Sequence, residues 1–110
     1  MPRKRLRTWA GHSEFEYSGS VDTGTEIFFG ENCRYHEFLS GKRYQALLKH
    51  FKEQNVSIGT SRTNPPDGSL GAWLLSNVSR TALASYIGPI LLHEGYANRG
   101  IGGTDMIQFL

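Results

Sequence analysis

The chain has 110 residues, 38% hydrophobic and 12% aromatic, which suffices for one core and is too short for two ordinary domains. Its net charge of +2 comes from Arg3, Lys4, Arg5 and Arg7; from Trp9 onward eight basic residues face ten acidic ones, so the body lacks the basic excess of an ordinary DNA-binding module. No run approaches the roughly 18 apolar residues of a membrane span, the basic N-terminus lacks the apolar stretch of a secretory signal, and the lone Cys33 has no partner for an internal disulfide, so a cytoplasmic location with no membrane partner is expected.

Residues 1–12 have no periodicity and read as a basic flexible tail. Its cluster of Arg3, Lys4, Arg5 and Arg7 suits either a phosphate-binding arm or a solvated terminus, and Trp9 can pin the tail to the domain. Residues 13–110 read as a single domain, divided into an N-terminal hairpin and loop (13–40) and a core (41–110). Glu14-Phe15-Glu16-Tyr17 alternates as a half-buried strand does, and Thr25 to Phe29 reads as its partner across the turn-rich segment Ser18 to Gly24. Gly30 to Ser40 reads as loop, anchored by Phe38 and Leu39.

The clearest helix follows. Tyr44, Leu47, Leu48 and Phe51 fall on one face, with Ser40 as N-cap. Val56-Ser57-Ile58 is a short strand candidate, and Gly59 to Gly68, with Pro65-Pro66, is a loop. Asp67 or Ser69 can cap a second helix in which Leu70, Trp73, Leu74 and Val78 share a face. Ser79 is expected to cap a third helix starting at Arg80, its core face marked by Leu83, Ile87, Ile90 and Leu91 and its end by Gly95. Tyr96 to Arg99 then pairs with Asp105 to Phe109 across the glycine-rich tip Gly100-Ile101-Gly102-Gly103.

From Lys42 the order is helix, strand, helix, helix, strand, strand. With the helix exit Leu91-Leu92-His93-Glu94-Gly95-Tyr96, it resembles the winged helix-turn-helix family over about two thirds of the chain. The resemblance implies an α+β fold, a winged helix of three helices plus a C-terminal β-hairpin wing, here with an extra N-terminal β-hairpin that packs on the domain or makes a dimer. It also implies a recognition helix that enters a DNA groove. Gly88-Pro89 inside that helix departs from the pattern. Proline there removes a backbone donor and faces the carbonyl of Ser85, at a cost of roughly 3 kcal/mol in a regular helix, so a kink is expected.

Under the resemblance, Arg80, Thr81, Ala84 and Ser85 are the groove-facing positions, Arg80 able to fork onto guanine or phosphate. Arg99 on the wing is a phosphate or minor-groove candidate, and Arg62 with the amides at the start of the Ser69 helix a phosphate candidate. The plainer alternative is a solvated helix face for the first set and an exposed loop arginine for Arg62. Tyr17, Phe28, Phe29 and Tyr35 could stack bases, although such aromatics more often form hairpin core.

No catalytic constellation, cofactor motif or metal site is expected. The glycine run 100–103 lacks the spacing of a nucleotide-binding loop and no helix follows it, while Cys33 and His36 fall short of a four-ligand set. The sequence thus points to a non-catalytic DNA-binding protein, a transcriptional regulator or an accessory factor in DNA metabolism, with double-stranded DNA as partner. The alternative is a winged-helix protein-interaction module, in a homodimer or larger complex, favoured by the acidic body and a smooth Ala84/Gly88 face.

Overall fold

The computed structural model describes residues 2–110; Met1, part of the expected tail, lies outside the described residues. The fold is α+β, with three α-helices and two antiparallel sheets among the described residues. The first sheet is a meander of β1 (Lys4–Arg7), β2 (Glu14–Ser20), β3 (Gly24–Phe29) and β4 (Tyr35–Ser40), paired in that order. The second, in spatial order β5-β7-β6, joins β5 (Asn55–Ser57) to the C-terminal strands β6 (Ala97–Arg99) and β7 (Met106–Phe109). Helices α1 (Gly41–Phe51), α2 (Leu70–Asn77) and α3 (Ala84–His93) complete the chain.

The expected hairpin forms between β2 and β3, with Tyr17 opposite Ile27, and two strands that the sequence reading missed extend it. The basic segment is not an irregular tail. Lys4–Arg7 pairs with β2 in the register Lys4 to Tyr17 through Arg7 to Glu14, with Leu6 half-buried and Arg5 ion-paired to Glu16 at 2.8 Å. Tyr35–Ser40 is strand rather than loop and pairs with β3 from Phe29–Tyr35 to Gly24–Ser40. The inner face of this sheet carries Phe15, Tyr17, Ile27 and Leu39 into the core against Tyr44, Ile87 and Leu91 from α1 and α3.

The helices obey the sequence pattern in part. Tyr44, Leu47 and Phe51 are buried on α1, and Ser40 caps it by accepting from the Arg43 N–H. Ser69, not Asp67, caps α2 by accepting from the Ala72 N–H at 3.0 Å. The end of α3 is a paired-carbonyl turn: Gly95 has φ +85°, and the N–H groups of Gly95 and Tyr96 donate to the carbonyls of Leu92 and Leu91. The C-terminal hairpin has the expected pairing, Ala97 opposite Phe109 and Arg99 opposite Ile107, and β5 adds to β7 with Val56 opposite Ile107.

The third helix starts four residues later than the sequence suggests. Ser79 does not cap it. Its hydroxyl accepts from the Thr81 N–H at 3.1 Å and donates to Glu37 Oε1 at 2.8 Å, which fastens the α2–α3 turn to β4. Arg80 and Thr81 therefore lie in that turn, ahead of α3.

Pro89 is accommodated within α3. Because it has no N–H, the Ser85 carbonyl lacks its helical partner, and the Trp9 N–H donates to it at 2.9 Å. Gly88 makes that approach possible: a Cβ there would lie 2.7 Å from Trp9 Cε3 and 2.8 Å from Ile58 Cδ1.

Candidate nucleic-acid interface

Most of α3 is closed off. Ala84, Ile87, Gly88, Ile90 and Leu91 are buried, and His93 alone is exposed. The N-terminal sheet and Trp9 cover the face expected to enter a groove. Ala84 is in the core rather than exposed, and Ser85 is half-buried with its carbonyl occupied by Trp9. Thus neither Ala84 nor Ser85 belongs to an open recognition face, and the smooth Ala84/Gly88 surface expected for a partner lies beneath the chain's own N-terminal segment.

Arg99 is exposed, but its guanidinium has partners within the chain. Its guanidinium lies 3.9 Å from the centre of the Trp9 ring and donates to the Trp9 carbonyl at 3.1 Å. The indole N–H donates to the Thr104 carbonyl at 2.9 Å, so Trp9 joins α3 to the C-terminal hairpin. Within the first strand, Arg3 and Arg5 pair with Glu16, holding its carboxyl below the usual carboxylate range through hydrogen bonds from Arg5 first and Arg3 second. Arg3 also lies over Phe28, Lys4 is 5.1 Å from the Tyr17 ring, and Arg7 donates to the Gly11 carbonyl. Lys4, Arg5 and Arg7 are thus strand side chains, Arg3 directly precedes the strand, and all four have local partners.

Two predicted residues do come together. Arg62 and Arg80 line one cleft of about 470 Å³ with Thr81, Ala82, Phe29, Gly30, Tyr35 and Tyr86. Three local features assemble it. Ser61 turns its loop by accepting from the N–H groups of Thr63 and Asn64, leaving Arg62 exposed. The Ser79–Glu37 bond fixes the turn that carries Arg80 and Thr81. At the end of β3, Gly30 adopts φ +82°, and a Cβ there would meet the Tyr35 ring at 2.6 Å, so only glycine lets that ring lie over the backbone.

The cleft wall is aromatic. Phe29 stacks on Tyr86 with ring centres 4.8 Å apart and on Tyr35 at 6.0 Å, and Phe15 meets Tyr86 edge-on. Tyr35 is 56% exposed, and Arg34 stands 5.7 Å from its centre. Burial pushes the Tyr86 hydroxyl up from its ordinary range, against the opposing charge of Arg62. Among the described residues the ion pairs are Arg3–Glu16, Arg5–Glu14, Arg5–Glu16 and His36–Glu26, so Arg62 and Arg80 have no carboxylate partner.

Sequence reasoning named Arg62, Arg80 and Thr81 as DNA candidates and Phe29 and Tyr35 as stacking candidates, did not join the two sets, and missed Tyr86 and Gly30. The missed strand β4 is the reason, since it carries Tyr35 beside Phe29. Among the described residues no group of three or more His, Cys, Asp or Glu side chains could hold a metal ion, and no helix is long and apolar enough to cross a membrane. No family model, curated protein or solved structure matches the chain.

Proposed function

We propose that the protein is a non-catalytic DNA-binding module of winged-helix type that contacts DNA through the α2–α3 turn rather than through an inserted α3. The winged-helix reading is supported by the order α1-β5-α2-α3-β6-β7 and by the spatial order β5-β7-β6, in which the short strand joins the C-terminal hairpin. The observation that carries the DNA reading is the convergence of Arg62 and Arg80, both without carboxylate partners, on a single cleft that has no acidic residue in its lining. Guanidinium groups so placed grip phosphate oxygens in paired, directional hydrogen bonds.

The rival reading as a protein-interaction module loses one of its two sequence arguments, because Ala84 and Gly88 are covered by Trp9 and the N-terminal sheet; the acidic body remains in its favour. Fluorescence anisotropy with a labelled DNA of random sequence tests the proposal. The Arg62→Ala/Arg80→Ala variant is expected to bind about tenfold or more weakly than the unaltered protein, equally across sequences. Unchanged affinity would contradict it.

A further inference from the structure

The cleft holds more than a phosphate site requires. Phosphate recognition needs donors, which Arg62, Arg80 and the Thr81 hydroxyl provide. It does not need Phe29, Tyr35 and Tyr86 in the same lining, nor a tyrosine ring left more than half exposed over a glycine. An exposed ring already backed by a second ring loses little conformational freedom when a further planar group stacks on it. A base in an intact duplex keeps both its faces against its neighbours, whereas an unpaired base offers a free face.

We propose that this cleft receives one unpaired nucleotide of a DNA strand, its base stacked on Tyr35 and its backbone phosphate held by Arg62 and Arg80. The inference rests on the DNA-binding reading above and specifies its substrate as single-stranded ends or gaps rather than uninterrupted duplex. The cleft volume of about 470 Å³ is of the size that small-molecule-sized groups occupy. The hydroxyls of Thr81 and Tyr86 add polar contacts without a sequence-reading pattern, so little base preference follows.

Anisotropy with three labelled probes tests it: a blunt duplex, the same duplex with a short single-stranded overhang, and that overhang made abasic. The overhang is expected to bind about tenfold more tightly than the blunt duplex, and the abasic overhang to lose that gain. Tyr35→Ala, at an exposed position, is expected to remove the gain of the overhang over the blunt duplex with an unchanged circular dichroism spectrum, and Tyr35→Phe to retain it. Equal affinity for blunt and overhang probes, with Arg62→Ala/Arg80→Ala still weakening both, would overturn this inference and leave the DNA-binding reading standing. Absence of binding to all three probes would overturn both. A free mononucleotide that binds as tightly as the overhang would also overturn it, because the site would then take a small nucleotide and not a strand.

Discussion

The backbone N–H of Trp9 donates to the Ser85 carbonyl at 2.9 Å, filling the bond that Pro89, four residues further along α3, lacks the donor to make. The same residue gives its indole N–H to Thr104 and its carbonyl to Arg99, and its ring lies against Gly88. A segment far away in sequence thus completes the third helix and fixes the C-terminal hairpin to it. The glycine and proline that look like a defect in an isolated helix form a docking position for Trp9.

Trp9→Ala should therefore act as a core substitution despite its place near the N-terminus. The side chain is only 5% exposed, so the expected loss is about 3–5 kcal/mol from burial and cavity effects. Urea unfolding followed by far-ultraviolet circular dichroism measures it. A loss below about 1 kcal/mol, the range of surface substitutions, would mean that Trp9 does not pack as described.

Glu94 ends α3, where a negative charge is disfavoured by the helix dipole. It is kept there by other partners: the Tyr17 hydroxyl donates to Oε2 at 2.7 Å and the Val21 N–H to Oε1 at 2.9 Å. Glu94→Ala leaves both donors without an acceptor and should cost about 1–3 kcal/mol. A double-mutant cycle with Tyr17→Phe should give a coupling above about 0.5 kcal/mol. Strict additivity would show that the sheet and α3 are not joined through this carboxylate.

Stability should fall at high pH. Burial, then the hydrogen bond to Glu94, raises the Tyr17 hydroxyl above its ordinary range; burial raises Tyr44 and Tyr86 as well. With folded values above the unfolded value of about 10, the stabilisation is fully present below about pH 10 and is lost as pH rises through the folded values. The urea midpoint should hold between pH 8 and about 10 and decline above it, less steeply in Tyr17→Phe. A midpoint that rises across that range would contradict the burial of these hydroxyls.

How much of this was legible depends on which interaction decides each element. The face of α1, the caps Ser40 and Ser69 and the turn at Gly95 are settled by local geometry, and local sequence carries them. The strand β1 is not legible in Lys4-Arg5-Leu6-Arg7 because only Leu6 turns inward; pairing with β2 and the ion pairs to Glu16 make it a strand. The strand β4 was hidden by its edge position, which leaves Tyr35 and Phe38 exposed and blurs the alternation that Leu39 completes. The start of α3 was misread because Ser79, a residue suited to capping, spends its hydroxyl on Thr81 and Glu37.

The site divides the same way. Arginines stand out in a sequence, so Arg62 and Arg80 were named before their meeting could be foreseen. Their convergence brings the loop of residues 59–69 to the α2–α3 turn, a tertiary contact that neither segment encodes by itself. Arg99 was equally visible, yet its partner is Trp9, a contact between residues ninety apart that no local pattern encodes.

The most direct test of the central claim is the salt dependence of DNA binding by the unaltered protein and by Arg62→Ala/Arg80→Ala. If the two guanidiniums each neutralise a phosphate, the slope of log affinity against log salt should become shallower by about 2 in the double variant, roughly 1 per arginine. Identical slopes and affinities for the two proteins would contradict a DNA contact at this cleft.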